Sequence, residues 1–375
     1  MNKLTLLSLR KLLKIPIEQT TQIPYEGVHF EAQRFLDAEP YFKILKRFVH
    51  RWLRLSLGGQ HSLRTSKLPD NARILWIYNE KLNFGDAIMD LSGRALLKNS
   101  NVQVDLLTHP KLAALFGEDD IFQNVFTDPT VCKSIEYDFI LLSEFNYKSI
   151  KTKIKYFKKL PFACLYGYFI GPDRNQIEFS FAAINDIFKL NLSPNLLTNV
   201  AKPYLHNHSN SEFIKNDQVL DRPYITICTG GIDANRTYNH WLKVLQIIDT
   251  SRELNLINHV VLLGSDNGLI TAQKIQTTEF KQLKITSLVN QLSILNNRAV
   301  IAGSELYIGA DGGLMHVAHT TQTPTISLFS AQERPYLRLT PACHSTGVQS
   351  SGDVSLIKAD HLTDLIKEHF YKINA

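Results

Sequence analysis

Cysteine is scarce in this chain of 375 residues: Cys132, Cys164, Cys228 and Cys343 are the only four, far apart and never in a CxxC pair. That spacing indicates neither a disulfide framework nor a thiolate zinc site, and reduced thiols are the simpler reading. Long apolar runs are missing too, none approaching the ~20 residues of a membrane-spanning helix. The opening stretch, MNKLTLLSLRKLLKIPI, is broken by Arg10 and Lys11 and has no small-residue cleavage site, so it does not read as a signal peptide. The expectation is a cytoplasmic protein, peripheral on the inner face of a membrane if its basic start meets one. With 44% hydrophobic and 20% charged residues the composition is that of a globular protein, which excludes collagen-like, low-complexity and wholly disordered chains. The length favours two domains.

Charge is unevenly spread. Residues 1–70 hold 12 Lys and Arg against 6 Asp and Glu, so the whole net charge of +6 sits there. An asymmetry of this kind suggests an anionic surface as partner. Within the extension, YFKILKRFVHRWLRLSL (41–57) puts Phe42, Leu45, Val49, Trp52 and Leu53 near one helical face, with Lys43, Lys46, Arg47, His50, Arg51 and Arg54 largely elsewhere. Such a helix can lie in an acidic lipid interface. The plainer reading is a surface helix that packs Trp52 onto the next domain. Gly58-Gly59 and the polar stretch to Asp70 then read as a linker.

Two β/α series follow. The first runs through RILWIYN (73–79), the loop EKLNFGD, a helical AIMDLSGRALLKNS, VQVDLLTHP (102–110), a helix at LAALFG, NVFTD and YDFILLS (137–143). The second runs through YITICTGG (224–231), helices near 240–249 and 291–304, HVVLLGSD (259–266), ELYIGAD (305–311), GLMHVAHTT and PTISLFS (324–330). Alternation of this kind argues parallel sheets of Rossmann type. No GxGxxG follows the first strand, so a plain NAD dehydrogenase is not the expected reading. The expected organisation is an extension and linker at 1–70, Rossmann-like domains at 71–210 and 211–355, and a closing helix at 356–375. A ligand would lie in the cleft where two such domains face each other.

The densest chemical signal is Gly309-Ala310-Asp311-Gly312-Gly313-Leu314-Met315-His316, a strand end, a tight turn and a helix start of the kind that takes phosphate. Asp311 is equally a candidate N-cap, and His316 a hydrogen-bonded histidine under the loop. Thr229-Gly230-Gly231 repeats the logic after the second half's first strand, and Arg236 follows as a cation able to clamp a diphosphate or to sit solvated in its loop. Lys148, Lys151, Lys153, Lys155, Lys158 and Lys159 place six lysines within 12 residues. They could hold an anionic acceptor or form a solvated face. The chain shows no recognisable nucleic-acid module, so nucleic acid is not expected as a partner.

Together these segments resemble the ADP-heptose:lipopolysaccharide heptosyltransferases, glycosyltransferase family 9, a family of GT-B fold. VIAGSELYIGADGGLMHVAHTTQTPTISLFS (300–330) agrees with the family pattern in spacing throughout, and RILWIYNEKLNFGDAIMDLSGRALL resembles the family's opening strand, Gly-Asp loop and helix. The resemblance covers about residues 72–350. It implies a GT-B architecture with two Rossmann-like domains and an inverting transfer of a heptose or related sugar. The donor would be a nucleotide-diphosphate sugar, ADP-heptose by resemblance, and the acceptor an anionic lipopolysaccharide-type glycolipid. Neither metal nor other cofactor is implied, and no DxD motif lies in a suitable loop.

Carried over by position, Asp86 matches the general base. Asp311 matches the donor-site aspartate, and Gly312, Gly313, Leu314 and the amides to His316 match the diphosphate cradle. Thr229, Gly230, Gly231 and Arg236 complete the expected donor side. Asn83, Gly85, Lys148 and Lys151 are the expected acceptor side. Three departures stand out. The family's usual Pro-Gly-Ala is Thr229-Gly230-Gly231 here; its Lys two residues before the Trp is Asn239, with Arg236 the nearest replacement; and the loop from Glu80 to Phe84 is longer. The alternatives are an inactive family member acting as a binding or scaffold protein, or a GT-B nucleotide-sugar epimerase.

Overall fold

The structure is a computed structural model describing residues 18–374 except 32–36, 38, 70, 80, 172 and 207–222. The opening stretch at 1–17 and the expected domain boundary at 210/211 lie outside the described residues. Contacts divide the chain into two units, Met1–Ala201 and Lys202–Ala375.

The first unit carries strands β1 (Arg73–Tyr78), β2 (Gln103–Thr108), β3 (Phe122–Phe126), β4 (Phe139–Leu142) and β5 (Phe162–Cys164). They pair in the order β3-β2-β1-β4-β5, every pair parallel. The helices that bear on function here are α1 (Tyr41–Leu57), α2 (Phe84–Asp90), α3 (Tyr147–Tyr156) and α4 (Gln176–Ile187). The second unit carries β6 (Ile225–Cys228), β7 (His259–Leu263), β8 (Lys284–Ser287), β9 (Leu306–Ala310), β10 (Thr325–Phe329) and β11 (Ser345–Gln349), with α5 (Trp241–Thr250), α6 (Ile294–Ala302), α7 (Gly313–Ala318) and α8 (Ala359–Asn374). Its order is β11-β10-β9-β6-β7-β8, again parallel.

Both are doubly wound sheets, as expected, and the apolar runs explain why. Strands covered on both faces read as near-continuous hydrophobics, and β4, β7, β9 and β10 are buried along their whole length. In each sheet the strand order reverses once, between β1 and β4 and between β6 and β9. Ligands bind outside the carboxyl ends of strands at such a reversal. The loops holding Asp86, Thr229-Gly230-Gly231 and Asp311 all leave those strand ends.

Three readings of the elements need correcting. The helix expected through 87–100 stops at Asp90 and continues as a tighter turn, Ser92–Leu97. A Cβ on Gly93 would run into the backbone of Ser180 in α4, so the chain turns where α4 approaches. Strands β8 and β11 were not expected; both are polar edge strands, β8 mostly half-buried and β11 largely exposed. Finally, α1 spans the expected residues but rotates the other way. Ile44 and Leu55 are buried and Phe48 packs on Tyr168 with ring centroids 4.7 Å apart, whereas Trp52 stays 45% exposed.

A buried polar knot fixes the turn after β1. The Asp90 carboxylate accepts from Tyr78 Oη at 3.0 Å, Lys81 Nζ at 2.7 Å, Tyr166 Oη at 2.7 Å and Gln176 Nε2 at 2.6 Å. Burial alone would raise its pKa. The Lys81 ammonium and the hydrogen bonds from Lys81 and Tyr166, with the Arg174 charge behind them, carry it below the ordinary value instead. A carboxylate whose folded pKa is lowered adds stability above its ordinary range and loses it as pH falls through the folded value. Removing one partner of a buried pair leaves the other uncompensated. Urea unfolding of Asp90→Ala should therefore show a loss of about 3 kcal/mol at neutral pH, shrinking in strong acid. A loss below about 0.5 kcal/mol would mean the knot does not hold the turn.

Candidate active site

The first group of residues stands at the end of β1. Asn83 is the N-cap of α2, Gly85 is buried in its first turn, and Asp86 follows half-exposed. A carboxylate in a helix's first turn is favoured by the backbone dipoles there. Asn83 Nδ2 donates to Asp86 Oδ2 at 3.5 Å, a long contact that steers the carboxylate without enclosing it. One helical turn on, Asp90 anchors the same helix from inside. The helix thus presents one carboxylate to solvent and ties down the other. Sequence reasoning missed Asp90 and Lys81; the signal available was an acidic residue inside the apolar stretch AIMDL, four residues after Asp86.

Lys148 and Lys151 lie on the exposed face of α3. The inward face of that helix touches the end of β1, where Ser149 Oγ donates to Asn79 Oδ1 at 3.1 Å. Lys153, counted with them in the sequence, is turned into the protein. It is buried over the Phe162 ring at 4.7 Å and bonded to Gln60, and burial pushes its pKa down to about 8. A cavity of about 680 Å³ opens elsewhere in this unit, beside β5, lined in part by Tyr25, Arg64, Tyr166 and Tyr168; none of Asn83, Gly85 and Asp86 lines it.

The second group stands at the ends of β6, β9 and β10. Asp311 is buried, and it is not the N-cap of α7; that position is Gly312, in extended backbone. The Asp311 side chain meets cations instead. Arg236 Nη1 lies 3.5 Å from Oδ2 and Arg338 Nε 3.9 Å from Oδ1. Both arginines also reach Glu333, Arg236 at 2.9 Å and Arg338 at 3.5 Å. His316 Nε2 is 3.7 Å from Asp311. Burial first, then His319 and the two arginines, hold the His316 pKa well below its ordinary value, and burial takes His319 down to about 3. Both imidazoles are therefore neutral at neutral pH, so guanidinium and not imidazolium charge answers Asp311. Among the described residues the Nδ1 atom of His316 has no hydrogen-bond partner.

The remaining donor-side residues divide by role. Gly312, Gly313 and Leu314 are half-exposed, and a Cβ at Gly312 would meet nothing nearer than a carbonyl oxygen at 3.7 Å. The space at Gly230 and Gly231 is taken by the protein itself: a Cβ there would strike Asn267 and the Arg236 backbone. Thr229 is buried, its hydroxyl donating to the carbonyls of Leu263 and Gly268. These three shape the loop. Asn239 is exposed, its backbone N–H donating to Ser355 Oγ at 3.0 Å, while Arg236 stands in the cluster. Glu333 and Arg338 were not singled out from sequence. Their signal was a charged stretch, QERPYLR, directly after the last apolar strand. Among the described residues, no group of three or more His, Cys, Asp or Glu could hold a metal ion.

Comparison with known proteins bears on the family and the fold. The model of glycosyltransferase family 9 (heptosyltransferase) matches residues 174–357, a span that includes Arg236, Asp311, Glu333 and Arg338. No curated protein matches the chain by sequence. Among solved structures, a family 9 glycosyltransferase from Veillonella parvula aligns with a TM-score of 0.65 at 13% identity, covering 82% of this chain and 100% of its own. The E. coli ADP-heptose LPS heptosyltransferase II aligns at 0.62 with 17% identity, over 81% and 100%. The E. coli heptosyltransferase WaaC with ADP aligns at 0.55 with 14% identity, over 80% and 98%. At such identities the likeness is one of fold, the GT-B pair of parallel-sheet units; the family assignment comes from the matched segment. Residues 174–357 form a glycosyltransferase family 9 (heptosyltransferase) segment, and the protein is a glycosyltransferase of the heptosyltransferase-like kind.

Proposed function

We propose that this protein transfers a heptose, or a closely related sugar, from a nucleotide-diphosphate donor to an anionic glycolipid of the lipopolysaccharide-core type, with inversion at the anomeric carbon. The proposed donor is ADP-heptose, the substance named for the E. coli relative. The observation that carries the reading is the convergence of Arg236 and Arg338 on Asp311 and Glu333, beside the open backbone at Gly312. Two guanidinium groups match a diphosphate in charge and can each bind it bidentately.

In this mechanism Asp86 takes the proton from the acceptor hydroxyl. The freed oxygen forms its bond to the anomeric carbon on the face opposite the diphosphate. The bond from that carbon to the diphosphate oxygen breaks, and its electron pair leaves with the nucleoside diphosphate. Arg236 and Arg338 take up the developing negative charge, a preorganised electrostatic role. Asp311, held by the same arginines, orients the sugar. The positive charge comes from the protein, so the transfer is proposed to be metal-independent.

Incubation of the protein with ADP-heptose and a truncated core acceptor, followed by mass spectrometry, tests the reading. The product should be the acceptor plus one heptose. Sugar isomerised without acceptor would point to an epimerase instead. Asp86→Asn should lower kcat by about 10²–10⁴-fold, the usual contribution of a general base, with ADP affinity unchanged. A kcat within about threefold of wild type would remove Asp86 from the mechanism. Excess EDTA should leave the rate of the wild type unaltered; a loss restored by magnesium would contradict the metal-independent route.

A further inference from the structure

The helix α1 has two apolar faces. One, with Ile44, Phe48 and Leu55, packs into the first unit's core. At 3.6 residues per turn Phe42, Val49 and Leu53 fall on the opposite side, and all three are exposed, Phe42 by 72%. Trp52 and Leu57 widen this second stripe, Leu57 being 87% exposed. An ordinary surface helix puts polar residues there. A contiguous apolar stripe turned to solvent marks an interaction site.

The flank of the stripe is cationic. Lys43, Arg47 and His50 are exposed along it, and Arg54 reaches across to the neighbouring helix α3, its guanidinium 5.0 Å from the centre of the Tyr147 ring. Lys151 of α3 lies 5.6 Å from the same ring. Tyr147 is itself 56% exposed. The exposed lysines of α3, Lys148, Lys151 and Lys155, therefore continue the basic flank of α1 across an aromatic seam. On the α1 flank Glu39 lies 3.9 Å from both Lys43 and Arg47.

We propose that α1 and α3 together form one surface that docks on an anionic lipid bilayer. The stripe of Phe42, Val49, Trp52, Leu53 and Leu57 enters the interface, while the cations of both helices face acidic headgroups. Apolar area and attraction to anionic lipid add in such binding. The charge sign selects this occupant: the stripe is flanked by exposed cations of both helices, which match acidic headgroups rather than a purely apolar partner. On this assignment Lys148 and Lys151 serve the membrane surface, whichever sugar and acceptor the enzyme uses, so the inference does not rest on the proposed reaction.

Trp76 and Trp241 are buried, so a change in intrinsic fluorescence on adding vesicles reports Trp52. The full chain is titrated with vesicles of phosphatidylcholine alone and of phosphatidylcholine mixed with phosphatidylglycerol. The expected result is a blue shift and co-flotation with the anionic vesicles only, reversed by added salt. The pairs Phe42→Ser with Leu53→Ser, and Lys148→Glu with Lys151→Glu, should each weaken binding at least about tenfold, with far-UV circular dichroism unchanged. Three results would overturn the proposal: no binding to anionic vesicles, binding indifferent to lipid charge, or full binding by the lysine pair. A concentration-dependent dimer abolished by Phe42→Ser with Leu53→Ser, without vesicle binding, would do so in favour of a second copy of the chain.

Discussion

A carboxylate removed from water must find positive charge, and Asp311 is such a group. It sits buried at the end of β9, where its own backbone N–H is committed to Leu328. His316 is near enough to help but is kept neutral by burial. The charge comes from Arg236 on the loop after β6 and Arg338 beyond β10, and Glu333 bridges the two. One constraint thus gathers three separate loops at the carboxyl ends of adjacent strands. The same arrangement leaves guanidinium edges half-exposed beside half-exposed glycines. In the donor-bound state the arginines would exchange carboxylate contacts for phosphate ones, a substitution of one anion for another.

The first unit solves a related problem differently. Two carboxylates on α2 are separated by one helical turn, and their surroundings set them apart. Asp90 is enclosed by Tyr78, Lys81, Tyr166 and Gln176 and kept ionised, which fixes the helix. Asp86 is half-exposed and, among the described residues, accepts one long contact from Asn83. A base must be positioned yet accessible, and a rigid helix with one anchored and one open carboxylate meets both needs.

Much of this was legible in the sequence because buried parallel strands write themselves as apolar runs. RILWIY, FILL, HVVLL, LYIGA and TISLF are all strands. The polar edges KITS and STGVQ were not, since a strand exposed on one side lacks that signature. The helical period of α1 was legible and its orientation was not. A 3.6-residue repeat locates two apolar stripes on 41–57 and cannot say which one the core takes. The Asp311 and Asp86 loops stood out through local spacing. Glu333 and Arg338 carry no such spacing; only the folded register of β9, β10 and the loop after β6 brings them to Asp311. The same holds for Asn239, whose neighbour Arg236 takes the place in the cluster.

The central claim is that the Arg236–Asp311–Glu333–Arg338 cluster is a nucleoside-diphosphate site. Calorimetric titration with ADP, without added metal, tests it most directly, comparing wild type with Arg236→Ala and Arg338→Ala. Charge-assisted hydrogen bonds are worth about 1.5–3 kcal/mol each, so either substitution should weaken ADP by roughly tenfold to more than a hundredfold. GDP, UDP and CMP titrated in parallel show whether the adenine is selected. Affinity for ADP unchanged in both variants, or no binding of any nucleotide by the wild type, would contradict the account.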